Sequence, residues 1–375
     1  MRNPPIAGFP IQGVEPARIL RELKALDSGP IGDIAGPRDI ARPIAAKFVG
    51  VRADSDSFTR NIEADLKHTI LEVLGIPDAQ CFLTGSGTES NLLGLYAARQ
   101  AASRDRRVLL GPDTLHTSVH KCAAVLGVRL ELIGVESDRR VTAHSLRDVM
   151  TERVFAIAAS APTWDSGAWD PIAEIGSLAS ERQTSFHVDA CIGGFLLPFL
   201  PKSGYSHSRP FPPGVSSLAL DLHKFGYAPY SLSALCFTPT SVAAGAALLP
   251  AADHTVVPWS LASDRPFWPI AAAWAVTKML GRTGYERLAE TLIARRAQIC
   301  ESLAKRELRS AGDRCSPIVR VLATRELSLN ALQQRFERIA VPHIVCASAG
   351  HIRLRVDPVL TDSSFAQLLL DLEHL

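Results

Sequence analysis

The sequence predicts an α/β protein, with a mainly parallel sheet in a large domain followed by a smaller C-terminal α/β domain. Three observations carry that prediction. From residue 61 to about 265, short apolar runs alternate with amphipathic stretches of about 10–15 residues, the pattern of parallel strands joined by helices that cover both faces. Beyond 265 the pattern changes to one long helical segment and then shorter mixed elements. Residues 1–60 are rich in Pro and Gly ("GPIGDIAGPRDIARPIAAKF"), which predicts an extended arm lying on the body.

The elements follow in order. "FTRNIEADLKHTILEVLG" is helical by the spacing of Ile62, Leu66, Ile70, Leu71 and Leu74, and Gly75-Ile76-Pro77 stops it. "CFLT", "RVLLG", "RLELIGV", "VFAIAAS", "SFHVDA", "VSSLALD" and "LSALCFT" read as strands. "ESNLLGLYAARQAA", "TSVHKCAAVLG" and "PIAEIGSLASER" read as the helices between them. After 265, "PIAAAWAVTKML" is a linking helix. "ERLAETLIARRAQICESLAK", "PIVRVLA", "ALQQRFERI", "HIRLRV" and "FAQLLLDLEHL" then build the smaller domain, 266–375.

Bulk properties exclude several classes. A net charge of +2 over 375 residues, with no basic stripe, argues against a nucleic-acid partner. No run of about 18 apolar residues exists, which argues against a membrane span. Seven scattered cysteines, never in a C-x-x-C pair, point to reduced thiols rather than a disulfide frame or a zinc site. With no apolar leader in "MRNPPIAGFPIQG", the expectation is a soluble, cytoplasmic protein.

Four places carry chemistry. "LTGSGTES" puts Gly85 and Gly87 between a strand and a helix, with Ser86 and Glu89 at capping-box spacing. Such a turn is either a plain capped helix start or an anion site at the positive end of the dipole. In "FHVDACIGGF", His187 and Asp189 share one face of a strand. Asp189 at a buried strand end either caps the following turn or meets a cation. In "DLHKFGYAP", Lys224 follows the apolar run "VSSLAL", with Gly226 and Pro229 locking the turn behind it. Parallel strands gather their carboxyl ends on one edge, so these three can converge on one crevice. Partial burial there is expected to lower the proton affinity of Lys224 and make it a usable amine nucleophile. His116 and His120 in "PDTLHTSVHK" have i, i+4 spacing, but no third ligand is evident and no metal is expected. His116 then either stacks on a flat ring or simply starts a helix.

A phosphate turn, an imidazole, a strand-end aspartate and a strand-end lysine, in that order, suit pyridoxal 5′-phosphate. From about Ser57 onward the chain resembles the fold-type I pyridoxal-phosphate enzymes, specifically the group II amino-acid decarboxylases and their sphingosine-1-phosphate lyase branch. The motifs "GSGTESNL", "HVDACIGGF" and "DLHKFGYAP" carry the likeness. "GHIRLRVDP" and the compact length are similar to the small archaeal-type tyrosine/aspartate decarboxylases. The resemblance implies the seven-stranded transferase sheet, a Schiff base on Lys224, and Asp189 keeping the pyridine nitrogen protonated. It also implies His116 stacked on the ring, and Ser86, Gly87 and Thr88 on the phosphate with His223 nearby. Thr163 matches a position close to the ring oxygen, and His187 supports Asp189. Arg353 falls where a substrate carboxylate is read, with Arg355 competing for that role and a surface ion pair as the alternative. A homodimer with active sites at its interface is implied as well.

Departures from the family pattern bear on the substrate. Ser86 stands where many relatives have glycine, and Tyr230 where phosphate-substrate lyases have lysine, which argues against a second phosphate. Arg42 occupies a spot usually given to histidine on the substrate side. It either reads an acidic group or salt-bridges the arm. "SDRPFWP" replaces a turn lent to the neighbouring subunit; Asp264 brings a negative charge towards a phosphate, and Phe267 and Trp268 crowd a glycine site. The leading expectation is a lyase that decarboxylates a small L-amino acid. The alternatives are retro-aldol cleavage of the sphingosine-1-phosphate lyase type and a catalytically silent cofactor-binding protein.

Overall fold

The alternation of apolar runs produces the expected layers. In the computed structural model, described over residues 37–53, 55–201, 212–238, 260–262, 265–339 and 341–375, seven strands form one sheet. They are β1 (Gln80–Thr84), β2 (Val108–Pro112), β3 (Arg129–Ile133), β4 (Val154–Ser160), β5 (Ser185–Asp189), β6 (Ser217–Asp221) and β7 (Ser233–Phe237). The spatial order is β1-β7-β6-β5-β4-β2-β3, with only β7 running against its neighbours. Every residue of β2, β4, β6 and β7 is buried, as strands covered on both faces require. The carboxyl ends of β1, β6, β5, β4 and β2 therefore share one edge.

The helices of this domain are α1 (Pro37–Lys47), α2 (Ser57–Leu74), α3 (Gly87–Ala101), α4 (Thr117–Leu126), α5 (Ala143–Val149) and α6 (Ile172–Glu181). α3 packs across β4 to β7 and carries the phosphate turn at its start. α7 (Trp268–Lys305) links the domains. At Gly281, φ is 53°, so its helix axis breaks where the linking segment ends and the second amphipathic segment begins. The smaller domain is an antiparallel sheet of order β10-β11-β9-β8, with β8 (Ser310–Ala311), β9 (Ile318–Leu322), β10 (His343–Cys346) and β11 (His351–Arg355). It is backed by α8 (Leu329–Glu337) and α9 (Asp362–Glu373).

Two expectations need correction. The stretch read as an extended arm holds a helix, α1, because Ala41, Ile44 and Ala45 gain an apolar surface on α7 that outweighs the loss at Pro43. In "SDRPFWP", Ser263 and Asp264 lie outside the described residues, and Phe267 crowds no site. Its ring is fully buried, edge-on to Phe48 at 5.0 Å and to Phe58 at 6.1 Å, and its N–H donates to Val51 O. Arg265 is spent inside the chain, donating to both oxygens of Glu63 at 3.0 Å. Phe267 thus pins the entry of α7 to α1 and α2. Phe267→Ala should destabilise the fold by about 3–5 kcal/mol, which equilibrium urea unfolding will measure.

Candidate active site

Four strand ends bring most of the predicted residues to one cavity of about 210 Å³. Ser86, Gly87 and Thr88 line it from the β1–α3 turn, His116 from the β2–α4 turn, Asp189 from the end of β5, and His223 and Lys224 from the turn after β6. A second cavity of about 170 Å³ shares His116, Trp164, Ile192 and Lys224 with the first and extends to Arg353 and Arg355 of β11.

The phosphate turn is built as a helix cap. Ser86 Oγ accepts from Glu89 N–H at 3.2 Å, and Glu89 Oε2 accepts from Gly85 N–H at 2.7 Å. The carboxylate thus reaches one residue further back than in a standard capping box. The first-turn N–H groups of Gly87 and Thr88 have no intrahelical acceptor. A Cβ at position 87 would sit 2.4 Å from Cys191 Sγ and 2.7 Å from Asp221 Oδ1, so only glycine lets the turn come this close to the two strand ends.

Asp189 is buried and doubly bound. Its Oδ1 accepts from Cys191 N–H at 3.1 Å and its Oδ2 from Asn91 Nδ2 at 3.0 Å. Burial would raise its pKa, but the Cys191 hydrogen bonds and the Lys224 charge outweigh this and hold the carboxyl below the ordinary range. His187, predicted beside Asp189, lies outside the cavity lining and reaches it through Asn91, whose Oδ1 is 2.9 Å from His187 Nε2. Gly94, three residues along α3 from Asn91, makes room for that imidazole; a Cβ there would sit 2.7 Å from the ring.

Lys224 departs from expectation. Burial disfavours its charge, but Asp221 Oδ2 lies 2.8 Å from Nζ, and this pair with its neighbours raises the pKa above the ordinary lysine value. The amine is stored as an ammonium. Asp221 is itself held by Ser233 Oγ–H and lies 3.6 Å from His223 Nε2. The turn that carries Lys224 is fastened by Ala228 N–H to Leu222 O (3.0 Å) and by Tyr285 O–H to Gly226 O (3.0 Å).

His116 both caps α4 and lines the cavity: its Nδ1 accepts from Ser118 N–H at 3.2 Å. His120 is exposed. Among the described residues no group of three His, Cys, Asp or Glu side chains could hold a metal ion.

Three predicted positions behave differently. Thr163 is buried but outside the cavity lining, its hydroxyl 2.6 Å from Ser166 Oγ and accepting from Ala168 N–H, because the "PTWDSGA" turn closes on itself. Its neighbours Pro162 and Trp164 face the cavity instead. Tyr230 is 63% exposed, its ring 4.5 Å from that of His223, and lines neither cavity. Arg42 lies on α1, with its side chain outside the described residues.

Sequence reasoning passed over Asn91, Ser118, Trp164 and Asp221. Asn91 left one signal, a polar side chain one turn before Leu95 on the buried face of α3. Asp221 ends an apolar strand just as Asp189 does. Trp164 stands edge-on to His116 with ring centres 5.9 Å apart, and the Arg353 guanidinium lies 6.0 Å from its ring centre. The residue after it, Asp165, is clamped by Arg139 (2.7 Å) and by His351 Nε2 on its carbonyl (2.9 Å), which ties the small domain to the large one beside the cavity.

Comparison with known proteins supplies the family context. A family model described as the pyridoxal-dependent decarboxylase conserved domain matches residues 58–310. The chain is 28% identical over 320 residues to a probable L-tyrosine/L-aspartate decarboxylase of Methanothermobacter thermautotrophicus, covering 84% of this chain and 87% of that one. It is 27% identical over 309 residues to sphingosine-1-phosphate lyase 1 of Rattus norvegicus, covering 76% and 54%. A solved sphingosine-1-phosphate lyase of Burkholderia pseudomallei superposes with a TM-score of 0.84 at 23% identity, over 97% of this chain and 91% of that one.

His187 generates a pH prediction. Burial pushes its pKa from 6.5 down to about 4, so the folded protein keeps it neutral where the unfolded chain would protonate it. Its contribution to stability is complete above about pH 6.5 and is lost as the pH falls towards 4, by about 3 kcal/mol. Urea unfolding across that window should show the loss, and His187→Gln, which gains no proton, should flatten it.

Proposed function

The chain belongs to the pyridoxal-dependent decarboxylase family, and on that premise we propose that it removes the α-carboxylate of a small acidic L-amino acid. It is a pyridoxal 5′-phosphate-dependent lyase. The residues at the cavity fit that cofactor: a glycine-bearing helix start for a phosphate, an ionised buried carboxylate for a protonated ring nitrogen, and a lysine for an aldehyde. Ser86, Gly87 and Thr88 would hold the phosphate, Asp189 would face the ring nitrogen and Lys224 the aldehyde. Bound there, the cofactor supplies an electron sink for the pair left when the Cα–carboxylate bond breaks.

The observation that carries the substrate class is the charge of the second cavity. Arg353 and Arg355 line it, and among the described residues no carboxylate does. Arg353 Nε is buried without an acceptor, and burial together with Arg355 lowers the guanidinium's proton affinity, strain that an anionic substrate group relieves. Arg355 leans over the Phe225 ring at 5.4 Å and is exposed at the cavity mouth. Arg353 takes one substrate carboxylate and Arg355 the other, with Trp164 closing the side wall against water. Lys224 Nζ returns a proton to Cα after carbon dioxide leaves, and Asp221 Oδ2 holds Nζ in reach between these events.

The relatives named as decarboxylases of L-aspartate support this reading, and the exposure of Tyr230 supplies no cation for the phosphate of a sphingoid substrate. None of the seven cysteines is in a disulfide among the described residues, which supports a reducing, cytoplasmic compartment. A homodimer with sites at its interface belongs to the reading, and analytical ultracentrifugation of the loaded enzyme measures it.

The test is carbon dioxide release from L-aspartate, L-glutamate and L-tyrosine, alongside a spectral titration with each. Acidic substrates should turn over best, and Arg353→Gln should raise their KM by roughly 10- to 100-fold. Cleavage of an amino-alcohol phosphate without carbon dioxide release would transfer the chain to the retro-aldol reading. A visible absorbance that no amine perturbs would make it catalytically silent.

A further inference from the structure

One buried amide beside the cavity touches three side chains and reaches a fourth through one of them. Asn91, fully buried on α3, places Nδ2 3.0 Å from Asp189 Oδ2 and 2.9 Å from Ser118 Oγ, and Oδ1 2.9 Å from His187 Nε2. Ser118 Oγ in turn lies 2.8 Å from His116 Nδ1.

The directions of these bonds follow from Asp189. An ionised carboxylate only accepts, so the NH₂ of Asn91 must face it; the flipped amide would set oxygen against oxygen. Oδ1 of Asn91 then faces His187 and accepts from Nε2–H, leaving His187 Nδ1 to accept from Ser217 Oγ–H at 2.8 Å. The second N–H of Asn91 is donated to Ser118 Oγ. The Ser118 N–H can only donate and reaches His116 Nδ1 at 3.2 Å, so that nitrogen bears a lone pair and the Ser118 hydroxyl directs its hydrogen at it as well. Two donors on one ring nitrogen leave the neutral imidazole a single place for its proton.

We propose that Asn91 and Ser118 are positioning residues that lock His116 as the neutral Nε2–H tautomer, and that they do so with the same amide that fixes Asp189. His116 then offers the cavity a ring-nitrogen donor and no ring-nitrogen acceptor. It can hydrogen-bond an anionic group beside it, and it cannot take the proton that Lys224 must deliver. The charged groups facing the ring agree with this. Burial disfavours the imidazolium, Lys224 and Lys121 repel it, and Asp189 and Asp221 attract it without restoring its ordinary pKa; Arg353 adds a further cation across Trp164. The inference deepens the role of the cavity set out above and rests on it only for its meaning, since every bond of the network lies between groups of the protein.

Histidine-selective ¹⁵N labelling of the full-length protein without cofactor tests it, with the His116 signals identified by their loss in His116→Gln. Long-range ¹H–¹⁵N spectra should show a protonated Nε2 and an unprotonated Nδ1 at His116 at pH 7. Ser118→Ala and Asn91→Ala should each give averaged tautomer shifts at His116. A proton on Nδ1 of the wild-type ring, or an imidazolium at pH 7, overturns the proposal whether or not any variant folds. So does a folded Ser118→Ala whose His116 spectrum matches wild type. Spectra as expected from a protein that releases no carbon dioxide would keep the tautomer lock and sink the decarboxylation reading alone.

Discussion

The ionised carboxylate of Asp189, buried at the end of β5, is the constraint to which the rest of the site answers. Taking such a charge out of water costs several kcal/mol, and the chain meets that cost from three directions: the Cys191 N–H behind it, the Asn91 amide above it and the Lys224 charge across the cavity. Each of these demands its own support. Asn91 needs α3 pressed hard against the sheet, which the bare Cα of Gly94 permits. Lys224 needs Asp221, and Asp221 needs Ser233 from the one antiparallel strand. The geometry of the turns is thus a consequence of keeping one charge buried and ionised.

Chemistry is divided between the domains. On the proposed reading, the large sheet supplies the groups for the cofactor from its strand ends, where backbone direction rather than side-chain length sets their positions. The small antiparallel sheet places Arg353 and Arg355 of β11 at the second cavity, where the same reading puts the substrate. Trp164 stands at the seam, and Asp165 beside it binds Arg139 of the large domain and His351 of the small one. The two domains are therefore joined beside the cavity through two adjacent residues.

Much of this was legible in the sequence. Apolar runs of five to seven residues between helices are read easily, and all seven strands of the large sheet emerged from that pattern. The four-residue β10, the two-residue β8 and the seven-residue α5 are too short to impose a period. α1 was hidden by Pro43 because its reason for being helical, an apolar seat on α7, is hundreds of residues away in the chain. At the site, residues attached to turn motifs (Gly87, Asp189, Lys224) announced themselves. Asn91 and Ser118 sit inside helices, where one polar letter looks like any other until its partners are known. Thr163 failed for the opposite reason, since a turn motif fixed its place in the chain but not which of three neighbouring side chains would face inward.

The ion pair between Lys224 and Asp221 has a consequence beyond placement. An ammonium has no lone pair, so this side chain cannot attack a carbonyl until it gives up a proton, and Asp221 Oδ2 at 2.8 Å favours keeping it. Whatever loosens that contact therefore governs when the amine becomes a nucleophile.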